Sequence, residues 1–259
     1  MLQQHKDIIQ MNKEGWNKVA DQFFEGSLER LSYGSYAPTE EELNLLGTIT
    51  NCAIVEVGCG SGHTLEYLAK RGARELWGVD LSGAQIETAR QVVSKLDMPV
   101  VLIESPMEEM AELPENHFDK AVSIYALGWT VDLPRTLSHI HRSLKPGGIF
   151  VFSWEHPVHS VVEYSEDVLK FRRSYVSEGF ERHEAWRGTP IVMHNRKVST
   201  FINALIRAGF VIDAVIEESK VDEGDTVDPA KWYSGAKASL LPSTLIIKCH
   251  KSRAEGEPS

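Results

Sequence analysis

The residues whose spacing could do chemistry lie between positions 53 and 82. This stretch reads as an apolar strand (Ala53–Val57), a turn with glycines at 58, 60 and 62, a helix, and a second strand that ends on Asp80. Because glycine has no Cβ and tolerates positive φ, a strand that breaks into glycines and reopens as a helix lets a ligand approach bare backbone. A carboxylate about 20 residues past the glycines, at the tip of the second strand, can accept hydrogen bonds from ribose hydroxyls. The pattern therefore predicts a nucleotide-type site.

The order of the glycines argues against a dinucleotide. A dinucleotide site needs G-x-G-x-x-G/A, with a small third residue for helix packing and helix N–H groups on a pyrophosphate. Here the glycines fall as G-x-G-x-G, His63 occupies the sixth place, and Glu56 stands two residues before the first glycine. An acid there suits a ligand with an ammonium group and would repel a pyrophosphate. An NAD-dependent oxidoreductase is therefore the less favoured alternative.

At these residues the chain resembles the class I S-adenosylmethionine-dependent methyltransferases, whose first motif is E/D-x-G-x-G-x-G. The match is the string IVEVGCGSG with Asp80 behind it. The resemblance covers residues 50–250 and is to the small-molecule group that includes ubiquinone and menaquinone biosynthesis enzymes. It implies an α/β, Rossmann-like doubly wound sheet of seven strands with the last strand antiparallel, and a cap insertion after the fifth strand. It also implies S-adenosyl-L-methionine as the cofactor and S-adenosyl-L-homocysteine as the product.

The resemblance further implies a set of cofactor contacts. An Asp commonly accepts from the adenine amino group after the third strand in this family, whereas this chain has the string SPMEEM there, so the residue that recognises adenine stays open. Tyr33 is expected near the methionine end of the cofactor, and Tyr125 near the sulfonium. The complete expected set is Glu56, Gly58, Cys59, Gly60, Gly62, Asp80, Leu81, Ser105, Pro106, Met107, Tyr125 and Tyr33.

The elements that must position these residues divide into five segments. They are an N-terminal helical lid (1–49), a cofactor-binding core (50–156), a substrate cap insertion (157–195), a helix and strand pair that complete the core (196–251), and a flexible tail (252–259). In residues 8–24, apolar side chains at helical spacing predict an amphipathic helix that packs on the domain, folds over the cofactor, or does both. They are Trp16, Val19, Ala20, Phe23 and Phe24.

The cap insertion is predicted from its aromatic residues. Five aromatic side chains interleave with charges in residues 157–195, and they would be costly to leave in water. A solvated excursion is the alternative. Further on, Asp222–Ala230 reads as an exposed acidic loop, and Trp232, Tyr233, Lys237 and Leu241 are expected near the cap, where they could help to line the acceptor pocket.

Methyl transfer is an in-line displacement in which positioning alone can supply about 7–11 kcal/mol of the barrier, so a strong base is not required. If a base exists, it should lie at the carboxyl edge of the sheet, where ligands bind in open α/β folds. The catalytic candidates are His156, Tyr125 and His194, and His159 and Glu155 are further candidates for the base. A histidine suits this role because its pKa lies near neutrality. The acids and histidines show no metal-ligand spacing, so no metal is expected.

Composition limits the partners. A formal net charge of −10 over 259 residues, with no basic stripe, argues against a nucleic-acid substrate. Three cysteines without paired spacing, no apolar leader and no long apolar run predict a cytoplasmic protein without a membrane span. We expect a monomer or homodimer that methylates an O, N or C atom of a small-molecule acceptor. The acceptor is expected to be partly apolar or aromatic. A non-catalytic S-adenosylmethionine-binding module is the alternative.

Overall fold

The computed structural model describes residues 2–22, 28–166, 168–221 and 232–253. Phe23, Phe24, the loop Asp222–Ala230 and most of the C-terminal tail lie outside this part of the chain. The helices are α1 (Gln3–Val19), α2 (Glu40–Leu43), α3 (His63–Lys70), α4 (Gly83–Val93), α5 (Leu133–Ser143), α6 (Val198–Arg207) and α7 (Gly235–Ala238). The strands are β1 (Ala53–Val57), β2 (Glu75–Asp80), β3 (Val100–Glu104), β4 (Phe118–Ile124), β5 (Leu144–Glu155), β6 (Val162–Ser165), β7 (Val168–Phe171), β8 (Gly179–Trp186), β9 (Thr189–Asn195), β10 (Phe210–Ile216) and β11 (Thr244–Lys251).

Seven strands form the central sheet, in the order β10-β11-β5-β4-β1-β2-β3. The pairs among β1 to β5 are parallel, and β11 runs antiparallel to both β5 and β10. The expected doubly wound α/β sheet with an antiparallel last strand is therefore confirmed. Because β1 and β4 are neighbours whose connections leave in opposite directions, their carboxyl ends open a crevice of the kind in which ligands bind.

Alternation along the strands divides the core between the two faces of the sheet. Val55 and Phe150 belong to a cluster that α5 and α6 cover, whereas Ile54 and Val151 belong to a second cluster that includes residues of α3 and α4. Successive side chains of a strand point to opposite faces, so strands buried on both sides read as continuous apolar runs. This two-sided burial fixes the sheet on which the site is built.

Helix starts are set by polar caps at two strand exits. The Ser82 hydroxyl accepts from the backbone N–H of Gln85 at the start of α4, and the Asp132 carboxylate accepts from the N–H of Arg135 at the start of α5. Such caps satisfy N–H groups that have no partner within the helix. They hold the strand-to-helix turns at the carboxyl edge in fixed conformations.

The segment between β5 and α6 contains two antiparallel hairpins, β6–β7 and β8–β9, that are separate from the central sheet. Helix α1 packs against β9 and α4, so that it spans from the second hairpin to the helix that covers β2 and β3. At Gly15 an added Cβ would lie 2.8 Å from Cγ2 of Ile191, so the helix backbone approaches β9 closely. Among the described helices, none is long and apolar enough to cross a membrane.

Candidate active site

A cavity of about 350 Å³ opens at the carboxyl ends of β1, β2 and β4. Its size falls in the range of small-molecule sites, roughly 300–1,000 Å³. The glycine turn and the ends of β2 and β3 form its floor, while residues of α1 form its roof. The lining residues used below are Ile9, Asn12, Trp16, Glu56, Gly58, Cys59, Gly60, Ser61, Asp80, Leu81, Gln85, Ser105, Pro106, Met107, Glu108, Tyr125, Ala126 and Trp129.

The glycine turn is held in place by backbone hydrogen bonds to β2. The N–H groups of Gly58 and Cys59 donate to the carbonyl of Val79 at 2.7 and 3.0 Å. Gly58 has φ +78°, and a Cβ there would lie 2.1 Å from the Cβ of Ala126, so no other residue fits. The turn therefore brings β1 and the exit of β4 into direct contact, leaving backbone exposed to the cavity.

Asp80 organises the neighbouring turn. Its Oδ2 accepts from the N–H of Gly60 and its Oδ1 from the N–H of Ser82, each at 2.8 Å. Burial raises the pKa of Asp80, and these backbone donors oppose the increase. Each carboxylate oxygen keeps a second lone pair, so the side chain can still accept hydrogen bonds from ribose hydroxyls.

Glu56 presents the opposite situation. Its side chain is buried, and within the described residues Oε2 has no hydrogen-bond partner. Burial, with a smaller contribution from the charge of Asp80, raises the pKa of Glu56 well above its ordinary value. An unsatisfied buried carboxyl oxygen in a cavity wall is costly unless a ligand completes it. A cationic group such as an ammonium fits this oxygen.

The structure brings most of the expected cofactor contacts to this cavity, and two lie elsewhere. Gly62 is the N-cap residue of α3, behind the turn, where an added Cβ would lie 3.0 Å from the Cβ of Ala89. Tyr33 is fully buried, and its hydroxyl donates to Glu40 Oε2 at 2.6 Å. After β3, where contacts to adenine are expected, the Ser105 hydroxyl donates to the carbonyl of Pro106 at 3.1 Å, so it bonds within its own loop.

Two of the three catalytic candidates lie outside the cavity lining. His156 faces Glu217, with 2.7 Å between Nε2 and Oε1, and its Nδ1 accepts from the N–H of Val158. His194 accepts from the guanidinium of Arg196 at 2.6 Å and packs on Phe180. Burial and the charge of Arg196 lower the pKa of His194 to about 4. Neither imidazole is placed to take a proton from a ligand in this cavity.

Tyr125 is the candidate that lines the cavity. Its backbone adopts φ +51° at the end of β4, and its hydroxyl pairs with Thr244 Oγ1 at 2.6 Å. Burial raises the pKa of Tyr125, so the phenol stays protonated at neutral pH. A left-handed conformation at a non-glycine residue is uncommon and costs free energy, which the surrounding contacts must offset.

The aromatic roof was only partly visible in the sequence. Trp16 of α1 and Trp129 of the turn after β4 both line the cavity, with ring centroids 5.3 Å apart in an edge-to-face arrangement. Trp186 of β8 contacts both rings, at 5.0 and 5.7 Å. The helical spacing of Trp16 predicted its burial, whereas no sequence signal connects it to Trp129 or Trp186.

Helix α1 is fastened to two separate parts of the molecule. Asn12 donates to the carbonyl of Val192 and accepts from its N–H, both at 2.8 Å, so its amide pairs with β9 as a neighbouring strand would. On the other side, the Ser82 hydroxyl donates to Asn17 at 2.7 Å. Lys13 reaches Glu104 at 2.6 Å between Nζ and Oε1. The helix therefore bridges the second hairpin and the carboxyl ends of β2 and β3.

Two further residues line the cavity although the sequence did not place them there. Gln85 had signalled a helix cap only, yet its Oε1 accepts from the Ser61 hydroxyl at 2.6 Å at the cavity wall. Glu108 belongs to the acidic string after β3, where nothing in the sequence singles it out. It is buried, and its Oε1 accepts from the N–H of Val131.

Three of the residues expected near the cap lie behind Tyr125 in a polar cluster around Glu155, in which Lys237 is buried, Tyr233 half-buried and Trp232 exposed. Trp232 Nε1 and His159 both hydrogen-bond to Glu155, with 3.1 Å between His159 Nδ1 and the Glu155 Oε1. Lys237 donates to the carbonyl of His159 at 2.9 Å, and burial lowers the pKa of Lys237 to about 8. This cluster joins the C-terminal segment to the end of β5 and does not contribute to the cavity lining.

The seven-stranded sheet, with the glycine turn, Asp80 and the buried Glu56 in a cavity at its carboxyl edge, defines a Rossmann-like fold of the kind that binds nucleotide cofactors. Residues 55–152 match the methyltransferase domain family. The crystal structure of an S-adenosylmethionine-dependent methyltransferase from Mesorhizobium loti shows 29% identity and a TM-score of 0.70, covering 81% of this chain and 95% of that one. An uncharacterised Haemophilus influenzae protein is 31% identical over 221 residues, which are 81% of this chain and 85% of that protein. The chain belongs to the class I S-adenosylmethionine-dependent methyltransferase family.

Relatives with named activities match over shorter stretches. The mitochondrial arginine-hydroxylase NDUFAF5 of Rattus norvegicus is 38% identical over 97 residues, and the S-adenosyl-L-methionine-dependent Diels-Alderase iccD of Talaromyces variabilis is 33% identical over 114. The ubiquinone biosynthesis O-methyltransferase of Alkalilimnicola ehrlichii is 33% identical over 108 residues. The chain spans 27%, 39% and 43% of these three proteins, respectively. The family thus includes reactions other than methyl transfer.

Proposed function

We propose that this protein transfers a methyl group from S-adenosylmethionine to an O, N or C atom of a small-molecule acceptor by in-line displacement. One observation carries the proposal: the cavity combines a ribose-type carboxylate, an unsatisfied buried acid and bare glycine backbone beneath an aromatic roof. The first three features fit the cofactor, and the roof leaves an apolar compartment beside it for the acceptor.

The cofactor contacts follow from the cavity wall. Glu56 would pair with the ammonium of the methionine part, and Asp80 would accept from the ribose hydroxyls. The glycine turn, with Cys59, would lie along the methionine and ribose. Leu81 and the segment 105–107 would contact adenine, and Tyr125 would lie near the sulfonium. When bound, S-adenosylmethionine supplies the electrophilic methyl group, so the protein's task is alignment and exclusion of water.

The acceptor side suggests a small molecule of partly apolar or aromatic character. Residues 1–49 would act as the lid and residues 157–195 as the cap, because α1 and β9 meet above the cavity. The net charge of −10 disfavours nucleic acid as the acceptor. Free cysteines at positions 52, 59 and 249 fit a reducing compartment, and we place the protein in the cytoplasm, as a monomer or homodimer.

The test begins with calorimetric titration of the purified protein with S-adenosylmethionine, S-adenosylhomocysteine and NAD. Micromolar binding of the first two without NAD binding is the expected result. The protein is then incubated with methyl-labelled S-adenosylmethionine and separate small-molecule, RNA and protein fractions of a cell extract.

Label in the small-molecule fraction supports the proposal. Cofactor binding without any transferred label would instead favour a protein that uses S-adenosylmethionine as a bound cofactor without methyl transfer, whether for another reaction or for binding alone. NAD binding in place of S-adenosylmethionine would contradict both readings.

A further inference from the structure

We propose that the acceptor is a planar aromatic molecule with a hydroxyl or amino group, and that Glu108 accepts the proton which that group loses on methylation. This inference rests on the proposed function and adds the acceptor class and the catalytic base. It is carried by one buried carboxylate that lines the same cavity as the cofactor wall and the aromatic roof.

Glu108 is the acid whose geometry fits this role. Its side chain is 2% exposed and lines the cavity. Both hydrogen bonds to its carboxylate from described residues end on Oε1, where Thr130 Oγ1 and the N–H of Val131 donate at 2.5 Å each. The second oxygen is therefore the one available to a ligand. A buried carboxylate with an oxygen left over is a strong hydrogen-bond acceptor.

The carboxylate and the roof are fixed by the same turn. Arg196 donates to the carbonyls of Gly128 and Thr130, so its guanidinium braces the residues on either side of Trp129. Burial lowers the pKa of Arg196 to about 10, and the charge of Glu108 opposes this shift. Thr136 supports the network through a 2.7 Å contact between its Oγ1 and that of Thr130. Glu108 and Trp129 are thus held in one rigid arrangement.

The walls beside Glu108 favour a flat apolar ligand. Trp16 and Trp129 line the same cavity with their rings nearly perpendicular, at 87°. Ile9 adds an aliphatic surface from α1. Aromatic rings gain about 0.5–1.5 kcal/mol beyond burial from stacked or edge-to-face contact. A planar ring can contact both tryptophans while its polar substituent points to the carboxylate.

The other titratable groups of the cavity suit this role less well. Glu56 and Asp80 belong to the cofactor wall, as does His63, which lines the cavity beside the glycine turn at the start of α3. Burial raises the pKa of the Cys59 thiol and of the Tyr125 phenol, so both hold their protons at neutral pH. His156 and His194 do not line the cavity. Glu108 remains as the proton acceptor on the acceptor side.

The step balances without a further reactant. The acceptor O–H or N–H donates to Glu108, and its lone pair forms a bond to the methyl carbon as the carbon–sulfur bond breaks. The bonding pair of electrons goes to sulfur, which becomes neutral, and the proton goes to Glu108. The protonated carboxyl group then loses its proton to water when the products leave. General-base help of this kind contributes typically 10²–10⁴-fold.

The test uses the full chain saturated with S-adenosylhomocysteine and three probes: 1-naphthol, 1-naphthylamine and 1-methoxynaphthalene, which has no donor. Wild type should bind 1-naphthol about tenfold or more tighter than 1-methoxynaphthalene. Glu108→Gln should lose this preference, because the amide oxygen can still accept from Thr130 and Val131 while its NH₂ group faces the ligand. The exposed neighbour variant Glu109→Gln is the control and should behave as wild type. S-adenosylhomocysteine affinity should be equal in all three proteins.

Each other outcome overturns a defined part. If none of the probes binds the wild-type complex, the aromatic acceptor class is wrong. If wild type does not distinguish the naphthol from its methyl ether, or if Glu108→Gln keeps the preference, Glu108 does not have this role. If wild type fails to bind S-adenosylhomocysteine at all, the proposed function fails instead, which the cofactor titration shows before any probe is added.

Discussion

Glu56 and Asp80 lie on neighbouring strands of the same cavity, yet the protein satisfies their carboxylates in opposite ways. Asp80 accepts two backbone N–H groups, whereas Glu56 keeps an oxygen without a partner among the described residues. Burial raises the pKa of both. The Asp80 carboxylate is therefore part of the scaffold of the site, whereas the Glu56 carboxylate depends on a ligand to satisfy its second oxygen.

Replacing Asp80 with Ala should weaken S-adenosylmethionine binding by about tenfold or more, since the ribose would lose a charged acceptor and the Gly60 turn its anchor. Calorimetric titration measures the affinity. Glu87→Ala, on the exposed face of α4, serves as the control and should bind as wild type does. Near wild-type affinity in Asp80→Ala would refute the assignment.

Glu56→Gln should stabilise the ligand-free protein at neutral pH while it weakens cofactor binding about tenfold or more. The folded-state pKa of Glu56 lies above its unfolded value, so folding carries a cost above the unfolded pKa that the amide does not have. The stability difference should shrink as the pH falls toward 4.5, where Glu56 becomes neutral in both states.

Urea unfolding at several pH values measures this stability difference, with Glu87→Gln as a control of equal charge change. A loss of stability at neutral pH would show that the hydrogen bond between Thr64 and the Glu56 carboxylate outweighs the cost of burying the charge. Unchanged affinity would remove its role at the ammonium.

At the scale of elements, the positions of residues that set local backbone geometry could be predicted from the sequence. The directions in which side chains point in the tertiary structure could not. The glycine turn and Asp80 follow from local constraints that the sequence displays. His156 directly follows β5 as expected, but its ring turns to Glu217 at the end of β10, a direction that strand position cannot reveal. Glu108 enters the cavity wall only because a loop after β3 bonds to the turn after β4.

Helix α1 shows how one side chain can fix an element. Asn12→Ala leaves the Val192 N–H and carbonyl without partners, and each buried group left so costs about 1–3 kcal/mol. We expect lower stability in urea and faster amide exchange throughout α1. Asn12→Asp should lose less stability than Asn12→Ala, because its carboxylate can still accept from the Val192 N–H but cannot donate to the Val192 carbonyl.

Gln10→Ala is the matched control for Asn12→Ala. Gln10 lies on the same helix but is exposed, and its side-chain amide donates to Glu14 at 2.7 Å. Its loss should change stability by a few tenths of a kcal/mol at most. Equal effects of the two substitutions would mean that the pairing with Val192 does not secure the helix.

At the scale of the whole molecule, the sheet was predictable because strands buried on both faces read as apolar runs in sequence. The central sheet has the expected seven strands, and its last strand runs antiparallel to its neighbours as expected. The insertion between β5 and α6 gave no such signal, since most residues of β8 are exposed or half-buried and share no single period. Its two hairpins are defined by contacts with distant segments, which a local pattern does not contain.

These distant contacts couple the two ends of the site. Asn12 and Val192 are 180 residues apart in sequence, and their pairing joins α1 to β9 above the cavity. The β6–β7 hairpin belongs to the same insertion but packs against α7 and against the helical turn His159–Val161 that precedes β6. The two hairpins of the described part of the insertion therefore have different neighbours, although they are adjacent in the chain.

We expect S-adenosylhomocysteine to slow hydrogen exchange in α1 and in the β8–β9 hairpin, and to leave the β6–β7 hairpin nearly unchanged. Ligand binding stabilises the elements that close over it, and Asn12 passes this restraint from α1 to β9. Exchange followed by mass spectrometry with and without ligand measures the effect. Asn12→Ala should keep some protection in α1 and lose it in β9, whereas equal protection of both hairpins would show that the insertion responds as one body and not through this pairing.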